Sequence, residues 1–234
     1  GFLHQDDHDF SIAIADDGSG PEIEALATEF RDRGLSIRHI WQEDRGFRKA
    51  MALNKAIGSS PANYLVFTDN DCIPQKSFVA DHRRAARPGC FVAGRRVDLG
   101  PELTRAFLKR VYPLSRLNNR WWILKSGLLG RLRYAEHGAM LPWPLSNLWS
   151  SRYKAALGAN MAFWKSDLLQ INGFDNEFVH PGDEECDLEW RLRASGVKSR
   201  SLLGRGCVVH MYHETRARSD GNRQRLLDKK ARNV

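Results

Sequence analysis

The sequence predicts an α/β fold in which a mostly parallel sheet is flanked by helices. Short apolar segments alternate with amphipathic segments over the first 100 residues, and this alternation is typical of layered parallel sheets. The apolar segment at 64–68 shows no polar alternation, so we expect a strand with both faces covered. Acidic residues follow two of the predicted strands, at the end where such sheets bind ligands.

The elements follow from local signals. A buried strand at 11–15 is closed by Asp-Asp-Gly-Ser-Gly, and Pro21 then begins a helix whose apolar residues keep helical spacing until Gly34. A second helix ends at Gly58, and Asn-Gly-Phe-Asp at 172–175 forms a turn. The other predicted strands lie at 36–41, 64–68, 91–93, 159–164, 197–203 and 207–210. The second helix covers 50–57, and the other predicted helices lie at 76–86 and 185–195, after a cap at Ser166, and in the basic tail from 215.

The segment at 101–154 differs from the rest of the chain because it combines basic and aromatic residues. Its tryptophans and cations are Trp121, Trp122, Trp143, Trp149, Arg110, Arg116, Arg120, Lys125, Arg131 and Arg133. We expect an insert of helices and loops beside the ligand-binding edge of the sheet. The alternative is that these tryptophans only pack the insert itself.

Composition indicates one globular domain over residues 1–234. The formal net charge is +8, which favours anionic partners: nucleic acid, phosphorylated small molecules or an anionic membrane surface. The four cysteines form no C-x-x-C pair and indicate a reducing compartment. The first residues do not resemble a signal peptide and include no initiator methionine, so we expect residues upstream to be missing.

Two acidic clusters follow predicted strands. Asp69, Asn70 and Asp71 offer the hard oxygen ligands that Mg²⁺ or Mn²⁺ prefers; the alternative is a solvated turn. Asp16 and Asp17 could accept hydrogen bonds from a base or a ribose; the alternative is a turn that caps the next helix.

Three further groups could carry chemistry. Glu184, Glu185 and Asp187 lie at the start of a predicted helix, where a carboxylate could act as a general base or could merely complement the helix dipole. His210 and His213 could complete a metal shell or be ordinary histidines. The basic loop at 45–49, which contains Arg48, could meet phosphates or form a solvated face.

Six motifs occur in a fixed order along the chain. They are Asp-Asp-Gly-Ser at 16–19, Gly-Phe-Arg at 46–48 through Ala-Leu-Asn-Lys-Ala at 52–56, Asp-Asn-Asp-Cys-Ile-Pro at 69–74, Gly-Ala-Asn-Met-Ala-Phe at 158–163, Asn-Gly-Phe-Asp at 172–175 and Gly-Asp-Glu-Glu-Cys-Asp-Leu at 182–188. In this order they resemble the family 2 glycosyltransferases, which have the GT-A fold. The stretch from 158 to 213 also resembles the C-terminal half of the β-1,4-galactosyltransferase group. The family's usual first strand, ending in Pro-x-Tyr-Asn, is lacking, so the resemblance implies a GT-A sheet without it.

The resemblance implies a metal-dependent inverting transfer of a sugar from a nucleotide-sugar, a UDP-sugar above all, to a hydroxyl of a glycan or lipid-linked glycan. Mn²⁺ or Mg²⁺ would be the cofactor. Asp71 would ligate the metal, with Asp69 as its partner in the D-x-D pair and with His213, or alternatively His210, as a distant ligand. The implied nucleotide-sugar contacts are Asp16, Asp17, Arg48, Asn54, Lys55, Asp69 and Asn70.

The resemblance also implies an acceptor site at the last acidic motif. Glu185 would be the base, although the family often has Asp there, and Glu184 and Asp187 would stand beside it. The expected partners are a nucleotide-sugar donor, a glycan or lipid-linked acceptor and a peripheral membrane contact, but no nucleic acid. The expected location is the cytoplasm, at the inner face of the membrane.

Three other functions remain as alternatives. A nucleotidyltransferase should show a Gly-rich phosphate loop near the N-terminus, and none is found. A nucleic-acid-binding module would fit the net charge and the interleaved aromatics, but the acidic clusters at strand ends argue against it. A glycan-binding relative without activity would keep the fold and lose the chemistry.

Overall fold

The computed structural model describes residues 1–149, 155–214 and 219–232. The strands are β1 (Ile12–Asp16), β2 (Ile37–Trp41), β3 (Tyr64–Phe67), β4 (Cys72–Pro74), β5 (Cys90–Ala93), β6 (Arg96–Leu99), β7 (Leu132–Arg133), β8 (Met161–Trp164), β9 (Lys198–Ser201) and β10 (Val208–His210). The helices are α1 (Glu22–Asp32), α2 (Lys49–Ser59), α3 (Phe78–Ala85), α4 (Pro101–Leu108), α5 (Arg120–Leu128), α6 (Trp143–Trp149), α7 (Lys165–Gln170), α8 (Glu184–Ala194) and α9 (Asp220–Arg232).

The chain divides into two compact units. The first comprises residues 1–8, 66–163 and 198–214, and the second comprises residues 9–65, 164–197 and 215–234. In the second unit, β1 and β2 pair in parallel, from Ile12 opposite Ile37 to Asp16 opposite Trp41. Parallel pairing with α1 as the crossover brings the ends of β1 and β2 to the same edge.

The first unit contains a sheet in the order β4-β10-β6-β7, and the other sheet has the order β3-β8-β5-β9. β10 is antiparallel to β4 and parallel to β6, while β6 is antiparallel to β7. β5 is antiparallel to β8 and parallel to β9. The α/β class is confirmed, but the described sheets are mixed and not mostly parallel, because several short strands enter them in the reverse direction.

Most predicted elements are present, with local corrections. Strands β4, β6 and β7 were not predicted, because β4 ends in a proline, β6 includes two charged residues and β7 has only two residues. The expected full burial of the strands at 11–15 and 64–68 is wrong, since Ala13 is exposed and Val66 is 37% exposed. Trp164, and not Ser166, occupies the N-cap of α7. Residues 150–154 of the predicted insert and 215–218 of the tail lie outside the described ranges.

The insert contributes to the core of the first unit. One buried cluster contains Val97, Leu99, Leu103, Phe107, Leu117, Ile123, Leu132, Cys207 and Val209. Trp122 packs against it, with its ring 5.8 Å from that of Phe107. Trp143 instead lies beneath the Arg84 guanidinium at 4.6 Å. Packing therefore accounts for Trp122, whereas Trp121 is 67% exposed.

Candidate functional site

Three side chains meet beside the turn between β3 and β4. His213 Nε2 lies 2.9 Å from Asp71 Oδ2, and His210 Nε2 lies 3.4 Å from the same oxygen. One ligand atom from each residue falls within 4.8 Å of the other two. Ligands about 2.1 Å from one ion are separated by about 3–4 Å, so the three residues fit a divalent cation.

Strand register places these groups together. β10 lies between β4 and β6, and it pairs His210 with Cys72 on one side and with Asp98 on the other. Cys72 directly follows Asp71, whose backbone oxygen accepts a hydrogen bond from Met211 N–H at 3.0 Å. The sheet, rather than a flexible loop, therefore positions the first histidine against the carboxylate.

Both imidazoles present the same nitrogen to Asp71. His213 Nδ1 lies 2.8 Å from the backbone oxygen of Glu214, and His210 Nδ1 lies 3.5 Å from Asp98 Oδ1. An acceptor at Nδ1 favours the proton there and leaves the Nε2 lone pair free. Without a metal, an Nε2 proton would lie between each ring and the carboxylate; with both Nε2 atoms deprotonated, the two lone pairs and the carboxylate oxygen could share one cation.

The surroundings of Asp71 favour the charged form of its carboxylate. Burial raises the pKa of Asp71, but the contacts with His210, Cys72 and His213 act in the opposite direction and leave its pKa below the ordinary value. The side chain keeps 27% of its exposure. A charged oxygen that solvent and ligands can still reach is suited to hold an ion and a substrate together.

The other two residues of the acidic turn are placed differently. The Asp69 backbone oxygen accepts a hydrogen bond from Cys72 N–H at 3.2 Å, which closes the turn, and Asn70 is exposed at its tip. Within the described ranges, Asp69 does not belong to the set that one ion could reach. Of the predicted D-x-D pair, Asp71 alone joins the cation set.

In the second unit, Asp16 shapes the loop at the end of β1. Its carboxylate accepts a hydrogen bond from Ser19 N–H at 2.8 Å and lies 2.7 Å from His39 Nε2. Burial raises the pKa of Asp16, but these two contacts outweigh it and the pKa falls below the ordinary value. The residue is only 4% exposed, so little of it remains for a ligand.

Asp17 fixes the loop that precedes α2. Gln42 Nε2 donates to one carboxylate oxygen at 2.6 Å, and the Arg48 backbone N–H donates to the other at 2.5 Å. Gly18 permits the close approach of Asp44, because a Cβ at position 18 would lie 2.4 Å from the Asp44 Cβ. The structure thus brings Asp17 and Arg48 together at the strand edge where α/β sheets bind ligands.

Asn54 joins α2 to the turn at 172–175. Its side-chain N–H donates to the Phe174 backbone oxygen at 2.7 Å, and its side-chain oxygen accepts from Phe174 N–H at 2.8 Å. Gly173 has φ +65°, and a Cβ there would lie 2.3 Å from Asn54 Oδ1. Asn54 is therefore engaged within the protein, while the neighbouring Lys55 is exposed.

Glu184 and Glu185 begin α8 and share one cation. Lys49 Nζ lies 2.8 Å from Glu185 Oε1 and 3.4 Å from Glu184 Oε1. Burial, with the charge of Glu185, raises the pKa of Glu184, while Lys49 acts in the opposite direction. The Glu184 side chain is 5% exposed and that of Glu185 is 18% exposed. Glu185 is accordingly the more accessible carboxylate of the two.

Asp187 lies in an ion-pair network within the second unit. It is fully buried, with Arg191 Nη2 2.7 Å from Oδ2 and Lys229 Nζ 2.6 Å from Oδ1. Lys229 also lies 2.8 Å from Asp175 Oδ2. Two cations hold both oxygens, so this carboxylate ties α8 to α9 and does not present itself to a ligand.

Comparison with protein families decides the relationship. A model of glycosyl transferase family 2 matches residues 2–140, more than half of the chain. The chain belongs to glycosyl transferase family 2. A second model, described as the N-terminal domain of galactosyltransferase, matches residues 146–214. The resemblance drawn from the order of the motifs is thereby confirmed for both parts of the chain.

Relatives of this family 2 chain include polysaccharide synthases. The chain is 25% identical to Escherichia coli chondroitin synthase in an alignment 219 positions long that covers 88% of the chain and 30% of the synthase. It is 27% identical to a validoxylamine A glucosyltransferase of Streptomyces hygroscopicus subsp. jinggangensis in an alignment 233 positions long that covers 90% of the chain and 51% of that enzyme. The chain thus spans about half or less of the length of these relatives.

Two solved structures share the fold. One is a mannosyltransferase from Pyrobaculum calidifontis in complex with GDP-Man and Mn²⁺, with a TM-score of 0.56, 19% identity and coverage of 88% of this chain and 50% of that one. The other is GalNAc-T7 with UDP, GalNAc and Mn²⁺, with a TM-score of 0.56, 12% identity and coverage of 93% and 41%. The family 2 chain therefore has the GT-A fold.

Several neighbours of the site residues were not predicted. Lys49 contacts the acidic pair from α2, and Asp98 stands behind His210 from β6. An Asp in the alternating segment Arg-Val-Asp-Leu could have indicated a polar partner near a strand end. Nothing local in the sequence connects Lys49 with residues more than 130 positions away.

Proposed function

We propose that this family 2 chain is a metal-dependent inverting glycosyltransferase that moves a sugar from a UDP-sugar to a hydroxyl of a glycan or lipid-linked glycan. The observation that carries the proposal is the cluster of Asp71, His210 and His213 directly after β3 in a chain of this family. Both solved structures of the same fold hold Mn²⁺ together with a nucleotide or nucleotide-sugar. We propose one catalytic domain over 1–234, since the family 2 match draws on both units.

The donor set supports a divalent metal. Asp71 and the two Nε2 atoms would hold it and leave positions for phosphate oxygens. A bound metal would stabilise the charge on the departing diphosphate. Two imidazoles beside one carboxylate favour Mn²⁺ over Mg²⁺, because Mg²⁺ strongly prefers oxygen ligands.

Our candidate for the general base is Glu185. Its carboxylate would take the proton of the acceptor hydroxyl while the hydroxyl oxygen forms a bond to the anomeric carbon. The bond from that carbon to the diphosphate oxygen breaks, and its electron pair leaves with the nucleoside diphosphate. A single displacement from the opposite face inverts the configuration. Lys49, at 2.8 Å, would orient the Glu185 carboxylate, and the more buried Glu184 would lie beside it.

For the nucleotide-sugar we favour the more accessible of the predicted residues. Asp17, Arg48 and Lys55 would contact the base, ribose or phosphates, and Asp69 and Asn70 would extend the donor contacts along the turn. Asp16 and Asn54 are engaged within the protein, so we assign them a positioning role. Asp187 likewise would position α8 through its ion pairs.

A lipid-linked acceptor would be met at a membrane. The proposal therefore includes a cytoplasmic location with peripheral contact to the inner membrane face. Within the described ranges, no helix is long and apolar enough to cross a membrane.

The test is release of UDP from a panel of UDP-sugars with an added glycan acceptor, in Mn²⁺ or in a chelator. We expect release that needs Mn²⁺ and is abolished in Asp71→Ala. Glu185→Gln should lower turnover about 100-fold while UDP affinity stays the same. The exposed Glu102→Gln serves as the matched control. Unchanged turnover in Asp71→Ala would overturn the metal site, and a fall in UDP affinity as large as the fall in rate would overturn the base.

A further inference from the structure

Exposed apolar side chains are concentrated in the insert. Of the sixteen large hydrophobic residues exposed in the described chain, nine lie between positions 101 and 149. Isolated exposed hydrophobic residues are normal, but a concentration of them marks an interaction surface. The same segment contains eight Lys and Arg against two Glu, so it carries +6 of the chain's net charge of +8.

One helix presents both properties on a single face. Trp121, Leu124, Lys125 and Leu128 have the spacing that brings side chains onto one side of α5. Trp121 is 67% exposed and Leu128 is 91% exposed, whereas Ile123 on the other side is fully buried. The helix is thus anchored by one side in the core of the first unit and displays an apolar, basic side to solvent.

A groove runs along this side of the helix. It has a volume of about 620 Å³, and Tyr134 and Glu136 also line it. Trp121, Leu124, Lys125, Leu128 and Tyr134 together are here named the α5 face.

A cation lies over each aromatic ring of the α5 face. The Arg120 guanidinium lies 4.9 Å from the Trp121 ring centre, and that of Arg133 lies 5.1 Å from the Tyr134 ring centre. Tyr134 has φ +59°, a left-handed conformation that is costly for a residue with a Cβ. The backbone therefore holds this ring and its cation at the rim of the groove.

We propose that the α5 face binds the surface of an anionic lipid bilayer. Trp and Tyr favour the level of the headgroups, exposed Leu enters the boundary of the acyl chains, and Lys and Arg pair with lipid phosphates. One occupant thus accounts for both the charge and the apolar exposure. The inference rests on the membrane contact included in the proposed function and assigns the surface that makes it, but it requires neither donor nor metal.

The charge and the apolar exposure of the α5 face favour a bilayer over a second copy of the chain or a nucleic acid. A second copy of the chain would bring two segments of charge +6 together, which repel each other. A nucleic acid would use the cations and the rings, but it would gain nothing from Leu128, which is the most exposed of the large hydrophobic residues. Leu128 is therefore the residue that distinguishes a bilayer from a polyanion.

The test is cosedimentation of the whole chain with vesicles of phosphatidylcholine, alone or mixed with phosphatidylglycerol. We expect binding to the mixed vesicles, a loss of about tenfold in affinity for Leu128→Ser and for Trp121→Ser, and a similar loss for Lys125→Glu. Leu169→Ser and Lys198→Glu are matched controls, exposed and outside the insert, and should bind like the wild type.

Each variant is also tested for UDP binding in Mn²⁺ and by thermal melting, so that a misfolded variant or a failed metal site is recognised separately. Equal sedimentation with neutral and anionic vesicles, or wild-type affinity in Leu128→Ser, overturns the proposal. Binding of a single-stranded RNA that depends on Lys125 while vesicles are not bound would assign the face to nucleic acid instead.

Discussion

Lys49 Nζ lies 2.8 Å from Glu185 Oε1, which joins the first turn of α2 to the first turn of α8. A cation in the first turn of a helix opposes the helix dipole, so the local preferences of α2 do not explain Lys49. Glu184 and Glu185 explain the lysine, because their two negative charges repel each other and a nearby cation offsets the repulsion. Lys49 offsets this repulsion and holds the more exposed carboxylate in place.

Removal of that cation should affect the chemistry more than the binding of donor. Lys49→Met should lower kcat about tenfold, equivalent to about 1.4 kcal/mol, because Glu185 loses its orientation and its charge partner. UDP affinity should stay unchanged, and Lys49→Arg should recover most of the rate. Steady-state kinetics measure kcat, and titration with UDP measures the affinity for UDP. Wild-type kcat in Lys49→Met would show that the contact has no part in turnover.

The raised pKa of Glu184 predicts a pH-dependent stability. A carboxyl whose pKa is higher in the folded state than in the unfolded state stabilises the fold below its ordinary pKa, and this stabilisation is lost as pH rises through the folded value. Glu184→Gln imitates the protonated form and keeps an acceptor for Gly182 N–H. It should therefore raise the melting temperature at pH 7 relative to the wild type and make it less dependent on pH between 4 and 7. A wild-type pH profile in the variant would contradict the prediction.

The C-terminal helix should depend on one lysine. Lys229 bridges Asp175 and the fully buried Asp187 at 2.8 and 2.6 Å. Lys229→Met would leave a buried carboxylate with Arg191 as its remaining partner, at a cost of about 3 kcal/mol in the free energy of unfolding. The exposed neighbour Lys230→Met is the control and should change it by less than about 0.5 kcal/mol. Urea unfolding measures both, and equal values for the two variants would refute the role of Lys229.

Asn54 and Gly173 should be energetically coupled. Gly173→Ala adds a Cβ at 2.3 Å from Asn54 Oδ1 and also a left-handed strain, so we expect a loss of about 2–3 kcal/mol. In an Asn54→Ala background the clash is absent, and the same change should cost only about 1 kcal/mol. Urea unfolding of the wild type, the two single variants and the double variant gives the coupling energy. Simple additivity would show that the two residues do not share this contact.

The sequence predicts well what local signals determine. Pro21 and Gly34 flank α1 in the structure, and Gly34 has the left-handed φ of +94° that a helix end favours. Strands β4, β6 and β7 show no clear apolar pattern, because β4 ends in a proline, β6 includes two charged residues and β7 has only two residues. These strands, and with them the mixed sheets, could not be predicted. Helical periodicity in the insert likewise did not predict that one side of α5 stays exposed.

The candidate site likewise contains residues that the sequence could predict and residues that it could not. Asp71, His210 and His213 could be proposed as metal ligands because the order of the motifs resembles family 2, whereas their residue types alone also allowed a solvated turn and ordinary histidines. The partner of Asp187 on α9 and the carboxylate of Asp98 behind His210 arise from pairing between distant elements. Asp16 and Asn54 were proposed as ligand contacts, but the structure uses their polar atoms to shape loops. Acidic and amide side chains near strand ends serve both purposes, and the sequence alone does not distinguish them.

The most direct measurement is calorimetric titration of UDP into the protein in Mn²⁺, in Mg²⁺ and in a chelator. We expect binding in Mn²⁺, weaker binding in Mg²⁺ and none in the chelator. Asp71→Asn and His213→Ala should each weaken binding in Mn²⁺ at least about tenfold, while the exposed His8→Ala should bind like the wild type. UDP binding that is equally tight in the chelator, or unchanged in His213→Ala, would contradict the assignment of this cluster to the metal that holds the diphosphate.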